Sequence, residues 1–191
     1  MTDSDFERLN GYVDEVINSG YGTGPARPMY KYRGKVRAYY QYRPYLYEFD
    51  AEGMSIAYEF RFWKYSVPPE SFMQEISRRG REFFDDLSGS GYVSYYEIFE
   101  TEAAVLSYFM VKHKRYLGIY DKEAGTSSLW EEQDFGKVIP QLPLYVVGTY
   151  GDFFVSPMFA SELKEADGLP ADLQAAVSGA SENDVVLMLF K

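Results

Sequence analysis

Cysteine is absent from the 191 residues, and histidine occurs once. Without cysteine, the chain can form no disulfide bond, no thiolate nucleophile and no cysteine-ligated zinc site. A single histidine is also too few for a histidine-based metal centre. We therefore expect no metal site and no cofactor, and the redox state of the compartment is left open.

Long hydrophobic runs are missing as well. No stretch reaches the roughly 18 apolar residues of a membrane-spanning helix. The first residues, MTDSDFERLNGY, are acidic and polar, whereas a signal peptide is basic and then apolar. The sequence thus predicts a soluble chain with no membrane span and no export signal, and it leaves the localisation unknown.

Positive charge is scarce. The chain has 19 Lys and Arg against 29 Asp and Glu, which gives a formal net charge of -10. Such a chain repels a phosphate backbone, so we expect no nucleic-acid partner. The most basic stretches, residues 31–37 and 111–115, are short and typical of solvated strands or hairpin tips.

Aromatic residues are plentiful, with 19 Tyr and 14 Phe among the 18% aromatic content. This excess favours many half-buried strands over helices. The length predicts a single domain over residues 1–191. Within it we predict an N-terminal helix and linker over residues 1–28 and a β-rich region over residues 29–191.

Strand-like alternation predicts three groups of strands. The first has four short strands between residues 29 and 63, and the second has four between residues 92 and 132. The third has two strands around the Tyr150-Gly151-Asp152 turn, then a helical region, then the apolar run NDVVLMLFK. We interpret that run as a buried strand that returns to the sheet.

A helix is predicted between the first two groups. It begins after the proline pair at residues 68 and 69 and ends at Gly89. Six apolar residues are predicted to share one face of this helix: Phe72, Met73, Ile76, Phe83, Phe84 and Leu87.

One phrase occurs twice, as RPYLYEFDAEG at residues 43–53 and KRYLGIYDKEAG at residues 114–125. In both copies Asp50 or Asp121 ends a strand, and Gly53 or Gly125 follows. Asp can accept hydrogen bonds from the backbone two residues on, and Gly supplies positive φ, so both phrases predict tight turns.

Repeated four-stranded meanders are typical of a β-propeller. We therefore predict a mainly all-β fold of propeller-like, four-stranded antiparallel meanders with inserted helices. About three blades are expected, which makes a half-propeller. Known rings need at least about four blades.

Four segments in this order resemble the six-bladed β-propeller proteins of unknown function from Gram-negative gut bacteria: residues 45–70, 92–111, 145–165 and 182–191. The resemblance is to the C-terminal half of such a protein. It implies a full member about twice as long and a periplasmic or cell-surface location. It brings no catalytic motif, so no residue is assigned a catalytic role and the ligand-binding residues are unknown.

Few residues are candidates for a catalytic or ligand-binding role. His113 lies between two lysines, and we expect a solvated turn residue there rather than a general base. Glu97, Glu100 and Glu102 could serve a paired-carboxylate hydrolase, but we interpret them as solvated charges at a strand edge. The EEQD segment at residues 131–134 lacks the spacing of a calcium loop. GYGTGP, at residues 20–25, lacks the flanking strand and helix of a phosphate-binding loop.

Five tyrosines cluster on two adjacent predicted strands: Tyr39, Tyr40, Tyr42, Tyr45 and Tyr47. Exposed rings could stack on sugars or act as hot spots for a protein partner. We favour the other interpretation, in which they fill the space between blades.

The leading functional hypothesis is a non-enzymatic, propeller-type binding or scaffold module for a glycan, peptide or protein. The expected partners are a second copy that completes a ring, or the N-terminal half that the resemblance says is missing. One alternative is a polysaccharide-acting hydrolase or lyase with carboxylate or tyrosine groups. Another is a truncated propeller fragment without independent function. Convergent carboxylates in a cleft would favour the enzyme.

Overall fold

The computed structural model describes residues 28–79, 82–132, 134, 145–165, 169 and 171–191. The helix predicted near the N-terminus and the GYGTGP segment lie outside these residues. The first described strand begins at Met29, which is where the sequence pattern changes to alternation.

The strands are β1 (Met29–Tyr32), β2 (Lys35–Tyr39), β3 (Tyr45–Asp50), β4 (Gly53–Glu59), β5 (Tyr95–Glu100), β6 (Ala104–Val111), β7 (Lys114–Asp121), β8 (Thr126–Glu131), β9 (Gly148–Tyr150), β10 (Phe153–Phe159) and β11 (Val185–Phe190). The helices are α1 (Glu70–Ser77), α2 (Phe83–Gly89), α3 (Ala160–Lys164) and α4 (Ala171–Ser178).

The strands form three sheets among the described residues. Their orders are β1-β2-β3-β4, β5-β6-β7-β8 and β11-β10-β9. Neighbours in space are neighbours in sequence in each sheet. The first two sheets are meanders with short connections, whereas α3 and α4 lie between β10 and β11 in the third. The prediction of a mainly β, propeller-like fold with inserted helices is confirmed.

Two compact units divide the chain. The first contains the described residues up to Glu97 together with Phe109–His113, and the second contains Ile98–Tyr108 together with Lys114–Lys191. The single domain over residues 1–191 stays a prediction.

An aromatic core holds the first unit together. Tyr96 is fully buried, and its ring lies 5.6 Å from Tyr39 and 5.4 Å from Phe62, measured between centroids. Phe62 also packs edge-on against Phe109 at 5.0 Å. Rings at these separations and tilts attract one another beyond the gain from burial alone.

The hydroxyl of the buried Tyr96 has backbone partners. It donates toward the carbonyl oxygens of Tyr40 and Arg43, which are the ends of the turn between β2 and β3. Tyr42, inside that turn, has φ 66°. Tyr96 therefore clamps a turn whose backbone conformation is uncommon for a residue with a side chain.

The helices of the first unit cover a second cluster. Met73 of α1 packs with Phe83 and Leu87 of α2 and with Tyr42. The prediction of one continuous helix is wrong, since α1 ends at Ser77 and α2 begins at Phe83. Phe83 is 4% exposed and Phe84 is 37% exposed, because adjacent residues of a helix point in different directions.

Two clusters form the core of the second unit. Leu106 of β6 and Leu117 of β7 pack with Val146 and with Phe154 of β10. The second cluster lies between the helices and the third sheet, and its members are Leu163, Leu169 and Val177 with Met158, Leu173, Val186 and Met188.

The repeated Asp phrase forms the predicted turns. Asp50 Oδ1 accepts a hydrogen bond from the N–H of Glu52 at 2.9 Å. Asp121 Oδ1 accepts two, from Glu123 and Ala124, each at 2.9 Å. The following glycines have φ 132° and 66°, so both Asp residues act as turn formers.

Candidate functional site

The five tyrosines singled out from the sequence are mostly core residues. Tyr39, Tyr42 and Tyr47 are 1%, 6% and 3% exposed, whereas Tyr40 and Tyr45 are half-buried. The ring of Tyr47 lies 6.1 Å from Tyr40 and 6.0 Å from Tyr45. Burial raises the pKa of Tyr47 above its usual range. The cluster is therefore internal packing and offers no open stacking platform.

Two of the three candidate glutamates are buried, so the interpretation of them as solvated edge charges is wrong for Glu97 and Glu100. Glu102 is exposed. The Glu100 side chain is fully buried, and its carboxylate pairs with Lys122 Nζ at 2.8 Å. Lys122 also donates to the carbonyl oxygen of Thr101 at 2.6 Å. This ion pair ties the β7–β8 turn to the end of β5.

The carboxylates of β5 do not form a catalytic pair. Glu97 and Glu100 are three positions apart on one strand, and side chains of a strand alternate between faces. They therefore point to opposite faces of the sheet. A glycoside hydrolase needs its two carboxyl groups about 5 to 10 Å apart on either side of one bond, which this arrangement does not supply.

His113 lies in the β6–β7 turn and is exposed, as predicted. Lys112 and His113 have φ of 50° and 63°. Positive φ at both central residues defines a type I′ turn, the hairpin turn that matches strand twist. The position of His113 in this turn accounts for its exposure.

The 31–37 stretch contains one buried cation, so the prediction of a wholly solvated strand is wrong there. Arg37 is 7% exposed, and its Nη1 lies 2.5 Å from Glu48 Oε2. Its guanidinium also lies over the rings of Tyr32 and Tyr58. The neighbouring Lys35 donates hydrogen bonds to Glu48 and to Asp50, and these raise the pKa of its ammonium group.

The EEQD segment forms ion pairs with β7. Glu131 Oε1 lies 2.8 Å from Lys114 Nζ, and Glu132 Oε1 lies 2.9 Å from Arg115 Nη2.

Among the described residues, no group of three or more His, Cys, Asp or Glu could hold a metal ion. A small cavity nearby, of about 10 Å³, has room for about one water. It is lined by Tyr108, Arg115, Tyr116, Leu117 and Glu132.

The third sheet has one covered face and one exposed face. The covered face carries three cross-strand pairs: Phe154–Phe190, Ser156–Met188 and Met158–Val186. The opposite face is apolar and open. Its exposed members, called here the third-sheet face, are Tyr150, Phe153, Phe159, Val185, Leu187 and Leu189.

The exposure of this face corrects the prediction that β11 is buried. Val185, Leu187 and Leu189 are 57%, 64% and 51% exposed. The continuous apolar run did predict a strand paired in the sheet, but β11 is an edge strand with only one face covered. The third-sheet face exposes roughly 500 Å² of apolar surface, at the upper end for a monomer.

Asp152 holds the turn beside this face. Its Oδ1 accepts a hydrogen bond from the N–H of Glu102 at 2.9 Å, and its Oδ2 lies 2.9 Å from Lys191 Nζ. The Lys191 ammonium lowers the pKa of the Asp152 carboxyl below its usual range. The β9–β10 turn is thereby fastened to the β5–β6 turn within the second unit.

No helix in the described part of the chain is both long and apolar enough to cross a membrane.

Three meander sheets of four, four and three antiparallel strands define a protein of the β-propeller class. A family model described as DUF5128, 6-bladed beta-propeller, matches residues 1–157. The chain belongs to this family, so the resemblance inferred from the sequence is confirmed.

A solved structure supports the same class. The chain is similar to a "putative exported protein" of Bacteroides fragilis NCTC 9343, whose crystal structure was determined at 2.60 Å resolution. The TM-score is 0.78 and the sequence identity is 26%. The match covers 90% of this chain and 52% of that one, so the chain spans about half the length of the structure it matches. A search of the curated proteins found no match.

Proposed function

We propose that the chain is a non-enzymatic, propeller-type binding or scaffold module that associates through the third-sheet face. The observation that carries the proposal is the exposure of this face, where Leu187 is 64% exposed and Val185 is 57% exposed. In a propeller, each sheet packs its faces against neighbouring sheets. An open apolar sheet face therefore requires a partner surface.

The proposed partner is a second copy of the chain. Propeller rings have about four to eight blades, and the described residues supply three sheets. A second copy would add three more of the same kind, consistent with a family described as six-bladed.

The oligomeric state tests this proposal. Light scattering coupled to size-exclusion chromatography, over a hundred-fold range of concentration, is expected to give a dimer mass. Leu187→Lys places a charge in the centre of the third-sheet face and should yield a monomer. Ser128→Lys adds the same charge at an exposed position of β8 and should leave the dimer intact.

Two results would overturn self-association. A monomer at every concentration would show that the third-sheet face does not bind a second copy. A dimer that persists in Leu187→Lys would show that a different surface mediates pairing. Circular dichroism of both variants establishes that each retains its β structure.

We also infer a location outside the cytoplasm, supported by the name of the similar Bacteroides fragilis protein. Fractionation of cells that express the full-length gene tests this inference. Recovery in the cytoplasmic fraction alone would overturn it.

A further inference from the structure

A second exposed feature lies in the first unit, at the tip of a short hairpin. Phe62 and Tyr65 pair as an isolated bridge, and the N–H of Tyr65 donates to the carbonyl oxygen of Phe62 at 2.9 Å. Trp63 and Lys64 form the tip between them. Trp63 is 68% exposed, which is unusual for the largest hydrophobic side chain.

The backbone of Trp63 is strained. Its φ is 56°, a left-handed conformation that is an outlier for a bulky residue and that Gly would adopt freely. Conformations of this kind persist where the surroundings enforce them, and they cluster at ligand-binding positions. Here Phe62, 4% exposed and packed against Tyr96 and Phe109, anchors the tip.

The strained conformation creates a mixed aromatic and cationic surface. The rings of Trp63 and Tyr65 lie 6.3 Å apart at an angle of 81°. Lys64 Nζ lies 4.4 Å from the Trp63 ring centroid and 5.4 Å from that of Tyr65. Arg61, two residues earlier in the chain, is 84% exposed and is paired with Glu59 at 3.7 Å, so Lys64 is the cation that faces the rings.

We propose that the segment Trp63–Tyr65 is a binding site for an acidic sugar, such as a uronic acid unit of a polysaccharide. The flat apolar face of the sugar ring would stack on the indole ring. Lys64 would pair with the sugar carboxylate by a charge-assisted hydrogen bond. The Lys64 ammonium beside the exposed Trp63 ring favours an anionic sugar ring over a neutral one.

This proposal gives a ligand class to the binding role proposed above, but it depends on other residues. Its test is a ligand titration, whereas self-association is tested by mass. Failure of one experiment therefore leaves the other proposal standing.

Tryptophan fluorescence reports directly on the site. The chain has two Trp, so Trp130→Phe leaves Trp63 as the only indole. Titration of this variant with oligogalacturonate is expected to change the emission in a saturable way. Uncharged galacto-oligosaccharide of matched length should bind at least ten-fold more weakly.

Two variants separate stacking from charge. Trp63→Gly removes the ring and accepts positive φ, and it should lower the affinity for oligogalacturonate at least ten-fold by calorimetry. Lys64→Met keeps the length of the side chain and should weaken only the acidic sugar. Circular dichroism checks that both variants are folded.

The opposite results would overturn the site. No heat and no fluorescence change at millimolar oligogalacturonate would refute sugar binding at this tip. Equal affinity of Trp63→Gly and the unmodified chain would place any binding elsewhere. Equal affinity for the acidic and neutral sugars would refute the role of Lys64. Binding of Trp63 to a protein surface instead would appear as the first of these outcomes.

Discussion

The Tyr96 hydroxyl offers a direct test of the clamp on the β2–β3 turn. Tyr96→Phe keeps the ring in the aromatic core, where the side chain is fully buried, and removes only the oxygen. The carbonyls of Tyr40 and Arg43 then lose that donor. Loss of a hydrogen bond to buried groups costs about 1–3 kcal/mol.

That cost converts to a measurable change. For a chain of this size, 1 kcal/mol shifts Tm by roughly 2–4 °C, so we expect a fall of about 2–12 °C. Urea denaturation followed by circular dichroism measures the free energy of unfolding. Tyr150→Phe is the control, because Tyr150 is 73% exposed and should change stability by less than about 0.5 kcal/mol.

High pH gives a second readout. Burial, followed by the neighbouring Tyr39 and Tyr47, raises the pKa of Tyr96 above its usual range. The unfolded chain releases this proton near pH 10 while the folded chain retains it. The stabilisation is therefore fully present below about pH 10 and is lost as the pH rises further.

The variant should lose stability less steeply than the unmodified chain above about pH 10. Tyr47, whose pKa is also raised, remains in both proteins, so some slope persists. An unfolding free energy unchanged within about 0.5 kcal/mol, together with identical slopes at high pH, would refute the clamp.

Three further substitutions test other contacts by urea denaturation. Gly118→Ala would place a Cβ 2.9 Å from Ser107 Oγ and should lower the free energy of unfolding by about 1–3 kcal/mol. Adding Ser107→Ala to the same chain should recover most of that stability. No recovery would argue against the clash. Lys122→Met removes the ammonium beside the buried Glu100 carboxylate and should lower the free energy of unfolding by about 3–5 kcal/mol. Adding Glu100→Gln to this variant should restore part of that stability. A loss under about 1 kcal/mol would contradict a buried pair. Asp121→Ala removes two hydrogen bonds and should cost about 1 kcal/mol, and unchanged stability would contradict its role in the turn.

Local chemistry explains what could be predicted from the sequence. The turns at Asp50 and Asp121 depend on residues adjacent in the chain, because the Asp side chain bonds the backbone next to it and Gly adopts positive φ. Alternation of apolar residues likewise defines the strands, and short links between them imply meanders. The sequence alone therefore determined the propeller class, the order of the strands and the repeated hairpin.

The tertiary structure decided which of these residues are covered. Glu100 is buried because Lys122, from another strand pair, reaches its carboxylate. Leu187 is exposed because β11 lies at a sheet edge with helices on only one face. Trp63 is exposed at a strained tip because Phe62 is anchored in the aromatic core. Burial and strain depend on neighbours distant in sequence, and the local pattern of a strand does not specify those neighbours.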